Sequence, residues 1–104
     1  MKGMNHVWLA GNIGGRIIFG RTRDDDLACS FSVASDHGGG TTWARVNAYG
    51  TVAAQCQGRA EKGVYVMVRG ELMNRHGQFG ELTEIRALDV VFLPAPTPSQ
   101  GDIE

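Results

Sequence analysis

The chain has 104 residues, enough for one domain and no more. Apolar residues make up 42 % and charged residues 20 %, a globular balance that excludes disorder as the starting expectation. The net charge of -1 favours no polyanion by itself, and no run approaches the ~18 apolar residues of a membrane span. Asn5, His6 and Asn12 interrupt the start before a secretion signal can form, so a soluble, cytoplasmic protein is expected.

Residues His6 to Asn12 alternate, with Val7 and Leu9 on one face and Trp8 and Ala10 on the other. Trp8 is therefore expected outside the core, and with His6 it is the candidate oligomer contact, since tryptophan suits interfaces. The run Asp24, Asp25 and Asp26 reads as a solvated turn that repels phosphate, not as a cation site. Leu27 to Ser35 alternates more clearly, setting Leu27, Cys29, Phe31 and Val33 against Ala28, Ser30, Ser32 and Ala34. Glycines 38–40 mark a hairpin loop, and Trp43 to Tyr49 forms a third strand.

A helix is expected next. Thr51 can cap it, and Val52, Ala53, Cys56 and Ala60 supply its apolar stripe. Gly63 suits its end, while the internal Gly58 costs ~1 kcal/mol against Ala and keeps it short. Val64 to Leu72 is the fourth strand, Gly77 and Gly80 mark a second hairpin, and Leu82 to Leu93 is the fifth. Pro94, Pro96 and Pro98 then open a segment that cannot build a core. A folded domain over residues 1–93, its core from about residue 4, and a short flexible tail over 94–104 are expected. Three strands, a helix and two strands give an all-β fold, the five-stranded Greek-key OB-fold barrel with a short helix between strands three and four. An SH3-like barrel is disfavoured by the position of the helix.

The third strand carries the chemistry. Period two puts Trp43, Arg45, Asn47 and Tyr49 on one face and the small residues Ala44, Val46 and Ala48 on the other. The small face fits a barrel interior. The other face offers two aromatics, a guanidinium and an amide in a row. Every base has a π-face, so such a row binds single strands at about 1–3 kcal/mol per stacked base. Eight of the ten basic residues are arginines, which pair with phosphates and also stack. Arg69, Arg75 and Arg86 are candidates for tracking the nucleic-acid backbone. Two other readings of the aromatic row stand beside this one: cover for a neighbouring subunit, and plain packing.

Little else suggests chemistry. Cys29 and Cys56 lack zinc-site spacing and read as reduced, buried thiols. His37 and His76 sit in glycine-rich loops without ligand spacing, and Ser30, Ser32 and Ser35 lie in no nucleophile motif. No catalytic residue, metal or cofactor is expected.

Several segments, in order, resemble the bacterial-type single-stranded DNA-binding proteins. They are Met4 to Gly14, Phe31 to Ser35, Thr42 to Gly50, Glu61 to Gly63 with Val66 to Gly70, and Thr83 to Ile85 with Val90 to Leu93. The resemblance implies that Trp43 and Tyr49 stack on DNA bases. It also implies that the first strand helps to pair subunits, and that the protein serves DNA replication, recombination or repair as a homo-oligomer, a tetramer before a dimer. The chain departs from the family in its short loops over 35–42 and 73–81. The second of these lacks the usual tryptophan, for which Phe79 stands in. Ala44 replaces a histidine linked to tetramer contacts, and the tail lacks the acidic run closing on Pro-Phe. The competing function is an OB-fold protein-interaction adapter of the primosomal type, with weak affinity for nucleic acid.

Overall fold

A computed structural model describes residues 1–78 and 80–94. The elements are β1 (Val7–Arg21), β2 (Leu27–His37), β3 (Gly40–Tyr49), α1 (Gly50–Cys56), β4 (Tyr65–Gly77) and β5 (Gly80–Leu93). The strands close into a barrel in the order β1-β2-β3-β5-β4, and β4 returns to β1. With α1 between β3 and β4, this is the OB-fold.

β1 runs nine residues past the expected end at Asn12, because it serves two partners in turn. Val7 to Asn12 pair with β4, and Asn12 to Arg21 pair with β2. A register shift between Gly14 and Ile18, with Gly15 at φ 80°, bends the strand from one partner to the other. The same bend breaks the apolar alternation, which is why the second half is hard to read from the sequence. Bare glycines also let neighbouring strands approach closely: a Cβ at Gly11 would collide with the Ala34 carbonyl of β2, and one at Gly70 of β4 with the Arg86 carbonyl of β5.

The core follows the alternation. Cys29, Phe31 and Val33 from β2, Val46 and Ala48 from β3, and Val66 and Val68 from β4 are buried, and Ile13, Ile85, Ala87 and Val90 join them. Full burial of a residue such as Phe31 stabilises by roughly 1.5–3 kcal/mol. Helix α1 contributes the buried residues Ala53 and Cys56, which pack against this core. Cys29 and Cys56 are free and buried, and their mutual hydrogen bond, with burial, pushes the Cys29 thiol above its ordinary value.

The helix departs from expectation at both ends. Its N-cap is Tyr49, with no side-chain cap, and Thr51 lies inside the helix. It stops at Cys56, seven residues long, because Gly58 adopts φ 75° and turns the chain left-handed; Gly63 lies in a later turn. A helix this short draws its stability from the core beneath it. β4 and β5 extend beyond their expected limits as one long hairpin whose pairing reaches Gly77 and Gly80. At the start of the chain, Asn5 donates from Nδ2 to the Leu72 carbonyl at 2.7 Å and accepts the Leu72 N–H at 2.8 Å. This reciprocal pair fastens the segment before β1 to β4.

Candidate nucleic-acid interface

The exposed face of β3 begins at Trp43, 63 % exposed, and ends at Tyr49, 37 % exposed. Trp43 stands opposite Ala34 of β2, and its ring lies over Gly14 of β1. A methyl group at Gly14 would come within 2.6 Å of Trp43 Cζ3, so the bare glycine is the seat of the ring. Tyr49 stands opposite Ala28, again a small neighbour that leaves its ring uncovered. Between them, Arg45 is half-buried and donates from Nη1 to Ser32 Oγ at 3.4 Å.

Asn47 shares this face but not its exposure. It is only 5 % exposed, and its Nδ2 donates to Glu84 Oε1 at 2.7 Å. The expectation of a freely reaching amide is therefore corrected: the N–H side is committed within the barrel. Glu84 is itself only 6 % exposed, and Arg75 Nη1 lies 3.6 Å from the same Oε1. A buried carboxylate held by an amide and a guanidinium meets the requirement that buried charge be paired.

The long hairpin extends the face sideways. Glu84 and Arg86 share one face of β5 by alternation, and their cross-strand partners on β4 are Met73 and Glu71. Arg86 Nη1 donates to Glu71 Oε1 at 3.2 Å. Arg75 and Arg86 thus lie on this side of the barrel, each beside a carboxylate. Among the described residues Arg45 has no carboxylate within ion-pair distance. Between the β3 row and the hairpin runs an open groove of about 460 Å³, lined by Ile18, Ser30, Arg45, Asn47, Tyr49, Met73 and Arg75 among others. Its lining mixes apolar side chains and small polar groups with the guanidinium groups of Arg45 and Arg75.

Not every candidate joins this face. Arg69 pairs across the strands with Trp8 on one side and Asp89 on the other, on the outer surface of β1, β4 and β5. Trp8 is 61 % exposed there, with the His6 ring 5.7 Å away between centroids. Phe79 lies outside the described residues. Conversely, the sequence reading missed Ile18, Met73, Ser30, Glu71 and Glu84. The signal for two of them was present, because Glu71 and Met73 recur with period two on the same strand as the candidate Arg75.

The remaining polar residues are accounted for locally. Thr22 and Asp26 close the turn that carries the acidic run, with Asp25 at φ 67°. His37 Nε2 lies 3.1 Å from Thr42 Oγ1 across the first hairpin. Among the described residues no three His, Cys, Asp or Glu side chains gather as a metal site, and no helix is long and apolar enough to cross a membrane.

Comparison with curated protein sequences finds no significant match. Solved structures do match. A deletion mutant of the single-stranded DNA-binding protein from Thermus aquaticus aligns over 93 % of this chain with TM-score 0.78 and 23 % identity. The chain spans only 44 % of that protein's length. Plasmodium falciparum SSB, solved in complex with ssDNA, aligns over 90 % of this chain and 98 % of its own with TM-score 0.77 and 23 % identity. The dimeric N-terminal domain of PriB from Thermoanaerobacter tencongensis aligns over 86 % of this chain and 97 % of its own, with TM-score 0.72 and 15 % identity. At these identities the likeness is one of fold. The sequence model of the single-strand binding protein family, however, matches residues 4–93, most of the chain and the whole barrel, and the chain belongs to that family.

Proposed function

We propose that this chain binds single-stranded DNA, largely without regard to sequence and without catalysing a reaction, in replication, recombination or repair. The observation that carries this reading is the uncovered pair Trp43 and Tyr49 on β3, flanking Arg45 and opening on a groove edged by Arg75. Aromatic faces bind unstacked bases of any kind, and a duplex hides those faces. Family membership and the ssDNA complex of the Plasmodium falciparum relative support the same reading. The residues that would contact DNA are Trp43, Arg45, Tyr49, Arg75 and Arg86, with Asn47 in the groove floor.

The outer face of β1, β4 and β5 carries a second role in this proposal. Trp8 with Val91 leaves apolar surface uncovered, and His6 lies at its edge. A second copy of the chain covers it in a closed homo-oligomer, a tetramer before a dimer, which places Arg69 in a subunit contact. The folded domain comprises residues 1–93, and the tail expected over 94–104 lies, from residue 95 on, outside the described residues. The working location is the cytoplasm.

The test is a titration of intrinsic tryptophan fluorescence with oligo(dT) and with duplex DNA at one salt concentration. Strong quenching and tight binding with oligo(dT), and weak binding with duplex, are expected. Equal affinity for the two removes the reading.

A further inference from the structure

Two polar atoms in the groove floor have no partner. Ser30 Oγ is buried and makes no hydrogen bond. Asn47 sits directly across the β2–β3 ladder from Ser30. Its amide orientation is fixed by chemistry: the Glu84 carboxylate only accepts, so Asn47 must turn its NH₂ to Glu84, at 2.7 Å. Its Oδ1 is then the acceptor left over, and among the described residues no hydrogen bond engages it. Both residues line the same groove, together with Tyr49, Ile18 and Met73. A few polar groups among apolar side chains are the arrangement of a small-molecule site, not of a flat stacking platform. An unpaired acceptor on a side chain only 5 % exposed calls for a partner that brings a complementary donor.

We infer that this groove takes one nucleobase of the bound strand edge-first and reads its Watson–Crick edge, with Asn47 Oδ1 as acceptor and the Ser30 hydroxyl beside it. This rests on the single-strand reading above and goes beyond it. Stacking uses the face of a base and ignores its edge. Here a donor on the edge, such as thymine N3–H, meets Asn47 Oδ1. Every base offers a donor next to an acceptor on that edge, so the subsite is compatible with broad sequence tolerance. It distinguishes free edges from blocked or paired ones. A base in a duplex has its Watson–Crick edge occupied, so the groove adds a second reason for single-strand preference. Glu84 acts here as a positioning residue, because it fixes which end of the Asn47 amide faces the strand.

The experiment compares oligo(dT) with an oligomer of equal length built from N3-methylthymidine. The methyl group removes the N3–H donor and leaves the aromatic face intact. The parent protein is expected to bind the methylated strand at least about fivefold more weakly, the lower cost of leaving a buried acceptor unpaired. Glu84→Gln no longer fixes the Asn47 amide, because glutamine can donate to it as well as accept, and it narrows this gap. The double variant Asn47→Val with Glu84→Leu, which removes both partners of the internal hydrogen bond together, closes it. If circular dichroism shows the double variant unfolded, Glu84→Gln alone decides. Equal affinity of the parent for both oligomers overturns the inference, and means that the floor holds only water. A gap that persists unchanged in the folded variants overturns it as well. Failure of the parent to prefer oligo(dT) over duplex is a separate result, and removes the single-strand reading itself.

Discussion

Replacing Gly14 by alanine tests the seating of Trp43 without touching any residue that meets DNA. The added methyl would sit 2.6 Å from Trp43 Cζ3 and 2.9 Å from Cη2, far inside contact distance, so one partner must move. The obstacle is the far end of a side chain, and the Trp43 ring is free to swing, being 63 % exposed. Gly14 does not occupy the left-handed region, so alanine fits the backbone. Its lower entropy in the unfolded chain favours the fold by roughly 0.4–1 kcal/mol where the new side chain is unstrained. Stability should therefore change little, while the platform loses its preset geometry. The loss in affinity is bounded by the full value of one stacked base, about 1–3 kcal/mol. The assay is tryptophan emission and oligo(dT) titration in a Trp8→Phe background, which leaves Trp43 as the sole tryptophan. A shifted emission with weaker binding and an unchanged melting temperature is expected. Gly11→Ala is the contrast, because its methyl meets the Ala34 backbone carbonyl, which cannot swing aside; that variant should lose stability. If Gly14→Ala leaves Trp43 emission and affinity as in the parent, the ring does not rest on Gly14 and the reasoning fails.

Three further outcomes follow from the same geometry. Glu71 and Arg86 neutralise each other on the binding face, so Glu71→Gln should steepen the salt dependence of single-strand binding by about 0.7 per freed phosphate contact. Adding Arg86→Gln to that variant should restore the parent slope, and a slope that ignores Glu71→Gln contradicts the pairing. Phe31 is fully buried, so Phe31→Ala should cost about 3–5 kcal/mol in denaturant unfolding, and a loss below 1 kcal/mol, roughly that of a surface site, argues against a packed barrel centre. Trp8→Glu should reduce the assembly to smaller species in light scattering, whereas an unaltered oligomer would place the subunit contact elsewhere.

The alternation of apolar residues made most of this fold legible. Phe31 and Val33, or Val66 and Val68, announce their inward direction within their own strands, and glycine marks the turns between them. What a strand cannot announce is its neighbours. Period two points Arg69 away from the buried Val66 and Val68, but a closed barrel has outward directions all the way round. Only the pairing of β4 with β1 puts Arg69 beside Trp8 and away from Trp43. Asn47 shows a related limit: it sits on the expected face, but a carboxylate 37 residues away holds its NH₂, which leaves only its oxygen for the groove. The cap of α1 was misplaced because Thr51 satisfies the composition rule for a cap while the backbone turns at Tyr49. The long course of β1 was hidden by its glycines, whose role is to let one strand bend between two partners.

The most direct test of the β3 platform is the affinity of Trp43→Ala for oligo(dT) at fixed salt, measured on protein whose circular dichroism matches the parent. Trp43 touches no core residue across its exposed face, so the fold should survive the change. A loss of about 1–3 kcal/mol, with the salt slope unchanged, is the result expected for a stacked base. Binding as tight as the parent's would contradict the account, and would move the DNA path, if there is one, off this face of the barrel.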